Sequence, residues 1–211
     1  MNKKQILSWC LFDFANSSYS AVISAAVFPV YFANILVGNS AGEGDLWWGR
    51  AISLSMLIIA LSSPFLGGIA DYAGLRKKLL ALYTVVCVAA VSGFSLLAPG
   101  VVLTAFILVV CANIGMEGGL VFYNSFLPRI APAEYQGRIS GWGFGVGYAG
   151  SITSLLIAMP LVQGGQYGLT WILTAAFFAL FSLPAFLFLP ADVPASLPAT
   201  QAGIKGAKQA W

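Results

Sequence analysis

Histidine is missing from all 211 residues, and the ten basic and seven acidic residues make up only 8% of the chain. Without imidazole there is no His-ligated metal site, no Ser-His nucleophile pair and no side chain that ordinarily titrates near neutral pH. The three cysteines, Cys10, Cys87 and Cys111, each fall inside an apolar run, where a thiol behaves as a small hydrophobe, so no chemistry is assigned to them. No GxxxxGK[ST] phosphate loop, no GxSxG elbow and no facing pair of catalytic aspartates is present, which leaves an intramembrane enzyme without equipment and ATP-driven work without an engine. Neither a cofactor nor a metal is expected. The net charge of +3 comes from basic residues scattered over turns, not from a run on one element, so a nucleic-acid partner is not expected either.

What fills the chain instead is hydrocarbon. Hydrophobic residues make up 59% of it, and the shortage of charge is far below the roughly 25% of a soluble domain. The apolar runs are about twenty residues long and lack the two-residue alternation of lipid-facing strands, so helices and not a barrel are predicted. The expected fold class is all-α, with six transmembrane spans: Trp9 to Leu36, Trp47 to Ala70, Leu79 to Leu97, Val101 to Phe126, Gly137 to Val162 and Gly168 to Leu189. Lys3 and Lys4 precede an apolar stretch like the start of a secretory signal, but Asp13 and Asn16 interrupt it and no small-residue cleavage site follows, so a retained first helix is expected.

An even number of spans puts both termini on one side, together with Lys3, Lys4, Arg76, Lys77, Lys78, Arg129, Arg138, Lys205 and Lys208, and leaves Arg50 opposite. The positive-inside rule makes that side cytoplasmic. The organisation expected is a membrane bundle over residues 1–189, built as two inverted three-helix repeats, followed by a flexible cytoplasmic tail or inter-half linker over residues 190–211, where proline, alanine and small polar residues predominate. Trp9, Trp47 and Trp48 stand where interfacial anchors are expected, and Pro29, Pro64 and Pro160 where spans bend.

Two acids fall within the spans, Asp13 in the first and Glu117 in the fourth. A carboxylate in hydrocarbon is costly enough to mark a functional position, and both are candidates for proton coupling in one shared aqueous pocket. Asn16 lies one turn from Asp13, and Asn113 and Asn124 lie one and two turns from Glu117, so these amides, with Tyr19 and Tyr123, are candidates for the solute cavity. The alternative for each amide is a hydrogen bond between helices.

Three stretches carry a family resemblance: WCLFDFANSSYS at Trp9 to Ser20, GGIADYAGLRKK at Gly67 to Lys78, and YNSFLPRIAPAEYQGRISGWGFGVGYAGS at Tyr123 to Ser151. Together they resemble the vacuole-effluxer family of the major facilitator superfamily, which includes autophagy-related amino-acid permeases. The resemblance implies a secondary transporter that moves a small polar solute, an amino acid among the classes to test, by rocking two six-helix bundles around a midplane site in lipid, with a bacterial inner membrane as the expected location. The proton is the coupling ion that Asp13 and Glu117 make a candidate. This chain matches the N-terminal half of such a transporter, so either it is part of a longer protein, paired with a separate C-terminal half, or two copies form a homodimer. The competing reading is a nontransporting six-helix assembly or regulatory module.

The resemblance also assigns roles. Gly67, Asp71, Gly74, Arg76 and Lys77 form the gating loop of the superfamily, in which the acid meets a helix start of the opposite bundle. Two small-residue ridges at four-residue spacing, one through Gly141 and Gly145 and the other through Gly143 and Gly147, let helix backbones touch and are expected at the half-half interface.

Overall fold

The computed structural model describes residues 1–210, and every regular element among them is helical. The first span opens as α1 (Lys3–Ser18), where the Asn2 side chain accepts the Lys4 backbone N–H at 3.0 Å and so satisfies one of the free donors at the helix start. It runs on through a wide π-helical turn (Tyr19–Ala26), the short α2 (Phe28–Tyr31) and a second wide turn (Phe32–Val37), with a bend of 40° between Ala26 and Phe28. Pro29 accounts for the bend, because it has no N–H to donate and its ring crowds the carbonyl one turn earlier. The chain answers by reaching further back: the Val27 N–H donates to the Val22 carbonyl, five residues away, at 3.1 Å.

The remaining spans are α3 (Glu43–Tyr72), α4 (Arg76–Gly93) with a tight turn at Phe94–Leu96, α5 (Val102–Asn124), α7 (Ala133–Gln163) and α8 (Tyr167–Phe188), with the short α6 (Leu127–Ile130) between α5 and α7. Among the described residues five helices are long and apolar enough to cross a membrane, and six if the bent first pair counts as one span. The number and order agree with the six apolar runs. The starts of α3 and α7 fall about four residues before the expected ones, because Glu43, Asp45 and Glu134 occupy first turns, where the helix dipole favours acids.

The helices pair in a regular way. α1 lies against α7 and α8, α5 lies against α3 and α4, and α4 lies against α8. Exchanging the first three spans for the last three carries this pattern into itself: α1 with α7 becomes α5 with α3, α1 with α8 becomes α5 with α4, and α4 with α8 stays in place. Aromatic residues fill both ends of the bundle. At one end Phe28 stacks on Phe94 (4.0 Å between centroids) and meets Trp171 edge-on (4.9 Å). The indole N–H of Trp171 is buried there with no acceptor among the described residues. At the other end Trp9, Tyr123 and Phe12 form a second cluster.

The segment after α8 departs from the flexible tail read in the sequence. It forms α9 (Ala199–Ala210), which packs against α3. Its packing face is made of Ala202, Gly203 and Gly206, small enough for two helix backbones to meet.

Candidate functional site

Between α1, α5 and α7 lies a cavity of about 340 Å³, within the range of small-molecule sites. Asp13 is the one charged residue in its lining. Its Oδ1 accepts a long hydrogen bond from Asn16 Nδ2 (3.4 Å), and Oδ2 has no donor among the described residues. The side chain has room to sit there because α7 carries Gly143 and Gly147 opposite it: a Cβ on either glycine would come within 3.3 and 3.2 Å of Asp13 Oδ2. Asn124 and Tyr123 line the same cavity, so the structure brings Asp13, Asn16, Tyr123 and Asn124 of the candidate set together.

Tyr123 is held rigidly in that wall. Its ring stacks on Trp9 at 4.6 Å and 9°, its hydroxyl donates to the Trp9 carbonyl (3.2 Å), and the Trp9 indole N–H donates to the Tyr123 carbonyl (3.2 Å). Trp9 is therefore not the interfacial anchor expected of it. It is 3% exposed and clamps α1 to α5.

Other candidates lie elsewhere. Glu117 does not line the cavity with Asp13, and it has no hydrogen-bond or ion-pair partner among the described residues, Arg129 and Arg138 included. The single shared pocket expected for the two acids is thus not formed. Helix geometry explains this: Met116, Leu120 and Tyr123 point α5 toward the cavity, whereas Glu117 stands about 100° round the axis from Met116. Asn113 is buried and donates from Nδ2 to Ser55 Oγ at 2.7 Å, a bond between α5 and α3, so it serves as the interhelical link weighed against a cavity role. Tyr19 is buried at 3% exposure in the core and outside the lining.

Sequence reasoning missed Ser17 on α1, Ser20 in the wide turn that follows it, and Ser140, Phe144, Tyr148 and Ser151 on α7, all of which line the cavity. Spacing carried the signal. Ser17 and Ser20 follow Asp13 by four and seven residues, and the α7 set advances in steps of three and four after Ser140, which places each group on one helical face.

The loop expected to act as a gate runs from the end of α3 to the start of α4. Asp71 forms an ion pair with Arg76 across the turn and remains 57% exposed, so its partner is in its own loop and not the helix start of another bundle. The Arg76 guanidinium also lies over the Phe126 ring, 5.9 Å from its centre. Gly74 adopts φ +64°, a conformation that a β-carbon would strain. Gly67 meets nothing within 4 Å, while its neighbour Gly68 makes the close contact with α9. Lys77 donates from Nζ to the Leu189 carbonyl at 2.9 Å.

The two glycine ridges of α7 part company. Gly143 and Gly147 face Trp9, Asp13 and Ser17 of α1 inside the bundle, which corrects their assignment to a half-half interface. Gly141 and Gly145 lie on the opposite side, exposed and with nothing within 4 Å.

Comparison with known proteins places this architecture. The chain is similar to an uncharacterized MFS-type transporter, YxiO, of Bacillus subtilis (strain 168), with 32% identity over 86% of this chain and 45% of the relative. It is similar to an uncharacterized protein of Aquifex aeolicus (strain VF5), with 26% identity over 87% of this chain and 45% of the relative. A further match is the multidrug resistance protein MdtG of Salmonella paratyphi C, 29% identical over 76% of this chain and 39% of the relative. The chain thus spans less than half the length of these relatives. No solved structure matches it. The family model described as "Vacuole effluxer Atg22 like" matches residues 50–211. With a bundle of long apolar helices, an acid-bearing cavity among them and that match over most of its length, the chain is an integral membrane protein and belongs to the vacuole effluxer Atg22-like family of major facilitator transporters, not to the enzymes.

Proposed function

We propose that this chain supplies one six-span bundle of a secondary transporter, which moves a small polar solute by alternating access. The observation that carries this reading is the cavity of about 340 Å³ with Asp13 as its one charged lining residue. An acid held among transmembrane helices marks a solute or ion pathway. A cavity with one carboxylate, no base and the polar groups of Asn16, Ser17, Ser140 and Asn124 suits the ammonium end of an amino acid or another small amine. The same carboxylate can hold a proton when the amine leaves, which is the simplest coupling scheme this bundle offers, and Glu117 is the second intramembrane acid that could carry one.

The second bundle is a further copy of this chain or a separate C-terminal half, and the exposed ridge of Gly141 and Gly145 on α7 is the face proposed to receive it. Lipid surrounds the remaining apolar surface. The Asp71 loop acts as the gate, with both termini cytoplasmic in a bacterial inner membrane, on the strength of the basic residues gathered at that end.

The test is binding followed by flux. In nanodiscs, small amines and zwitterionic amino acids are expected to raise the melting temperature of the chain, and Asp13→Asn is expected to remove that shift while the unliganded melting temperature stays within about 2 °C. In proteoliposomes with an imposed proton gradient, Asp13→Asn is expected to lower uptake of the stabilising solute at least about tenfold. Full uptake by Asp13→Asn would sink the assignment. A chain that binds solute but moves none, even as a dimer, would favour the nontransporting reading.

A further inference from the structure

The chain leaving α8 is tied to the Asp71 loop at successive steps. Lys77 Nζ donates to the Leu189 carbonyl, and the Asp192 carboxylate then accepts the Lys77 backbone N–H through Oδ1 (2.7 Å) and the Lys78 N–H through Oδ2 (3.4 Å). Three donors of the next stretch converge on the Tyr72 carbonyl: the Ser196 N–H (2.8 Å), the Ser196 hydroxyl (2.9 Å) and the Leu197 N–H (3.1 Å). Between them the Val193 carbonyl presses on Gly74, where a β-carbon would have no room.

These are not arbitrary contacts. Tyr72 ends α3, so its carbonyl has no acceptor role left within the helix, and Lys77 and Lys78 open α4, so their N–H groups are free donors at a positive dipole end. One segment therefore satisfies both helix ends that flank the gating loop, and it does so with a carboxylate at the end that favours an anion. α9 then anchors the segment. Gly206 crosses Gly68 backbone to backbone, Lys205 Nζ lies 4.1 Å from the centre of the Tyr72 ring, and the Tyr72 hydroxyl donates to Gln209 Oε1 at 2.9 Å. The crossing covers the end of an exposed stripe on α3, Leu54, Leu57, Leu61 and Phe65, at the point where it continues to Gly68.

We propose that residues 189–209 form a strap that holds the Asp71 loop in one position, with Asp192 as the latch and the Gly68–Gly206 crossing as the anchor. The α3–α4 turn moves only when the strap lifts, and lifting it lengthens the free face of α3. The consequence for transport rests on the gate reading of that loop, whereas the strap itself rests on its contacts, so its test does not use transport.

Two readouts on the full chain in nanodiscs decide it: hydrogen exchange at the Lys77 and Lys78 amides, and the rate of tryptic cleavage after Lys205 and Lys208. Asp192→Ala removes the latch and Gly206→Leu removes the anchor outside the bundle core. Either change is expected to speed both exchange and cleavage about fivefold to tenfold, while the α5 amides keep their protection. If Gly206→Leu frees α9 to trypsin and leaves the Lys77 and Lys78 amides unchanged, helix and loop are uncoupled and the proposal is overturned. Unchanged exchange in Asp192→Ala overturns it as well.

Discussion

Asp13 keeps its place through residues that have no side chain. Gly147 is the sharpest case, since an added Cβ would stand 2.9 Å from Ser17 Oγ and 3.2 Å from Asp13 Oδ2. Gly147→Leu is expected to fill the cavity and abolish solute stabilisation in the nanodisc melt, while Gly145→Leu, which meets nothing within 4 Å inside its own bundle, is expected to keep that stabilisation. Equal loss in both would mean that bulk anywhere on α7 is harmful and that the cavity is not the cause. The Asn113–Ser55 bond allows a different measurement. A double-mutant cycle with Asn113→Ala and Ser55→Ala is expected to give a coupling of about 0.6 kcal/mol and no more than roughly 1.7. Trp171 offers the opposite sign: its buried N–H has no acceptor among the described residues, so Trp171→Phe removes an unsatisfied donor worth about 1–3 kcal/mol and offsets part of the lost packing. A melting temperature that falls by less than that of Phe94→Ala would bear this out.

At the scale of helices, much was legible because lipid imposes one rule on every span. The six runs correspond to five long helices and one bent pair, the cost of a charge in hydrocarbon drew attention to Asp13, and the resemblance in Gly67 to Lys78 drew it to Gly74. Three things were not legible. Which way a polar residue turns depends on the neighbours of its helix, so Glu117 and Asn113, on the same α5 as Tyr123, could not be sorted by depth alone. The glycine ridges gave closeness but no partner, and only the packing of α1 separates Gly143 and Gly147 from Gly141 and Gly145. α9 escaped because the prolines and small residues of 190–211 suit a linker, and that composition outweighed the apolar side of one short helix. The turn between α3 and α4 yields a backbone prediction. Gly74→Ala imposes a left-handed conformation costing about 1–2 kcal/mol, and its β-carbon meets the Val193 carbonyl, so the loss of stability is expected to exceed that figure. A denaturant or thermal titration showing less than about 0.5 kcal/mol would mean that the loop relaxes freely.

For the molecule as a whole, the copy number of the particle decides how its exposed faces are used. The mass of the nanodisc complex, after subtraction of lipid, is expected to show two copies if Gly141 and Gly145 receive a second bundle of the same kind, and Gly141→Leu combined with Gly145→Leu is expected to reduce it to one. A single copy in the parent chain would leave a separate C-terminal half as the partner. The pairing of the helices adds a mechanical consequence. Because the pattern maps onto itself, the α4–α8 seam lies on the axis of the exchange, and the α1–α7 and α3–α5 seams lie as counterparts on either side of it. A turn of the two three-span leaves against each other about that axis displaces the counterparts equally and in opposite senses. Asp13 stands at one seam and the Asn113–Ser55 bond at the other, so a turn of the leaves that pries that bond apart is expected to narrow the room around the acid.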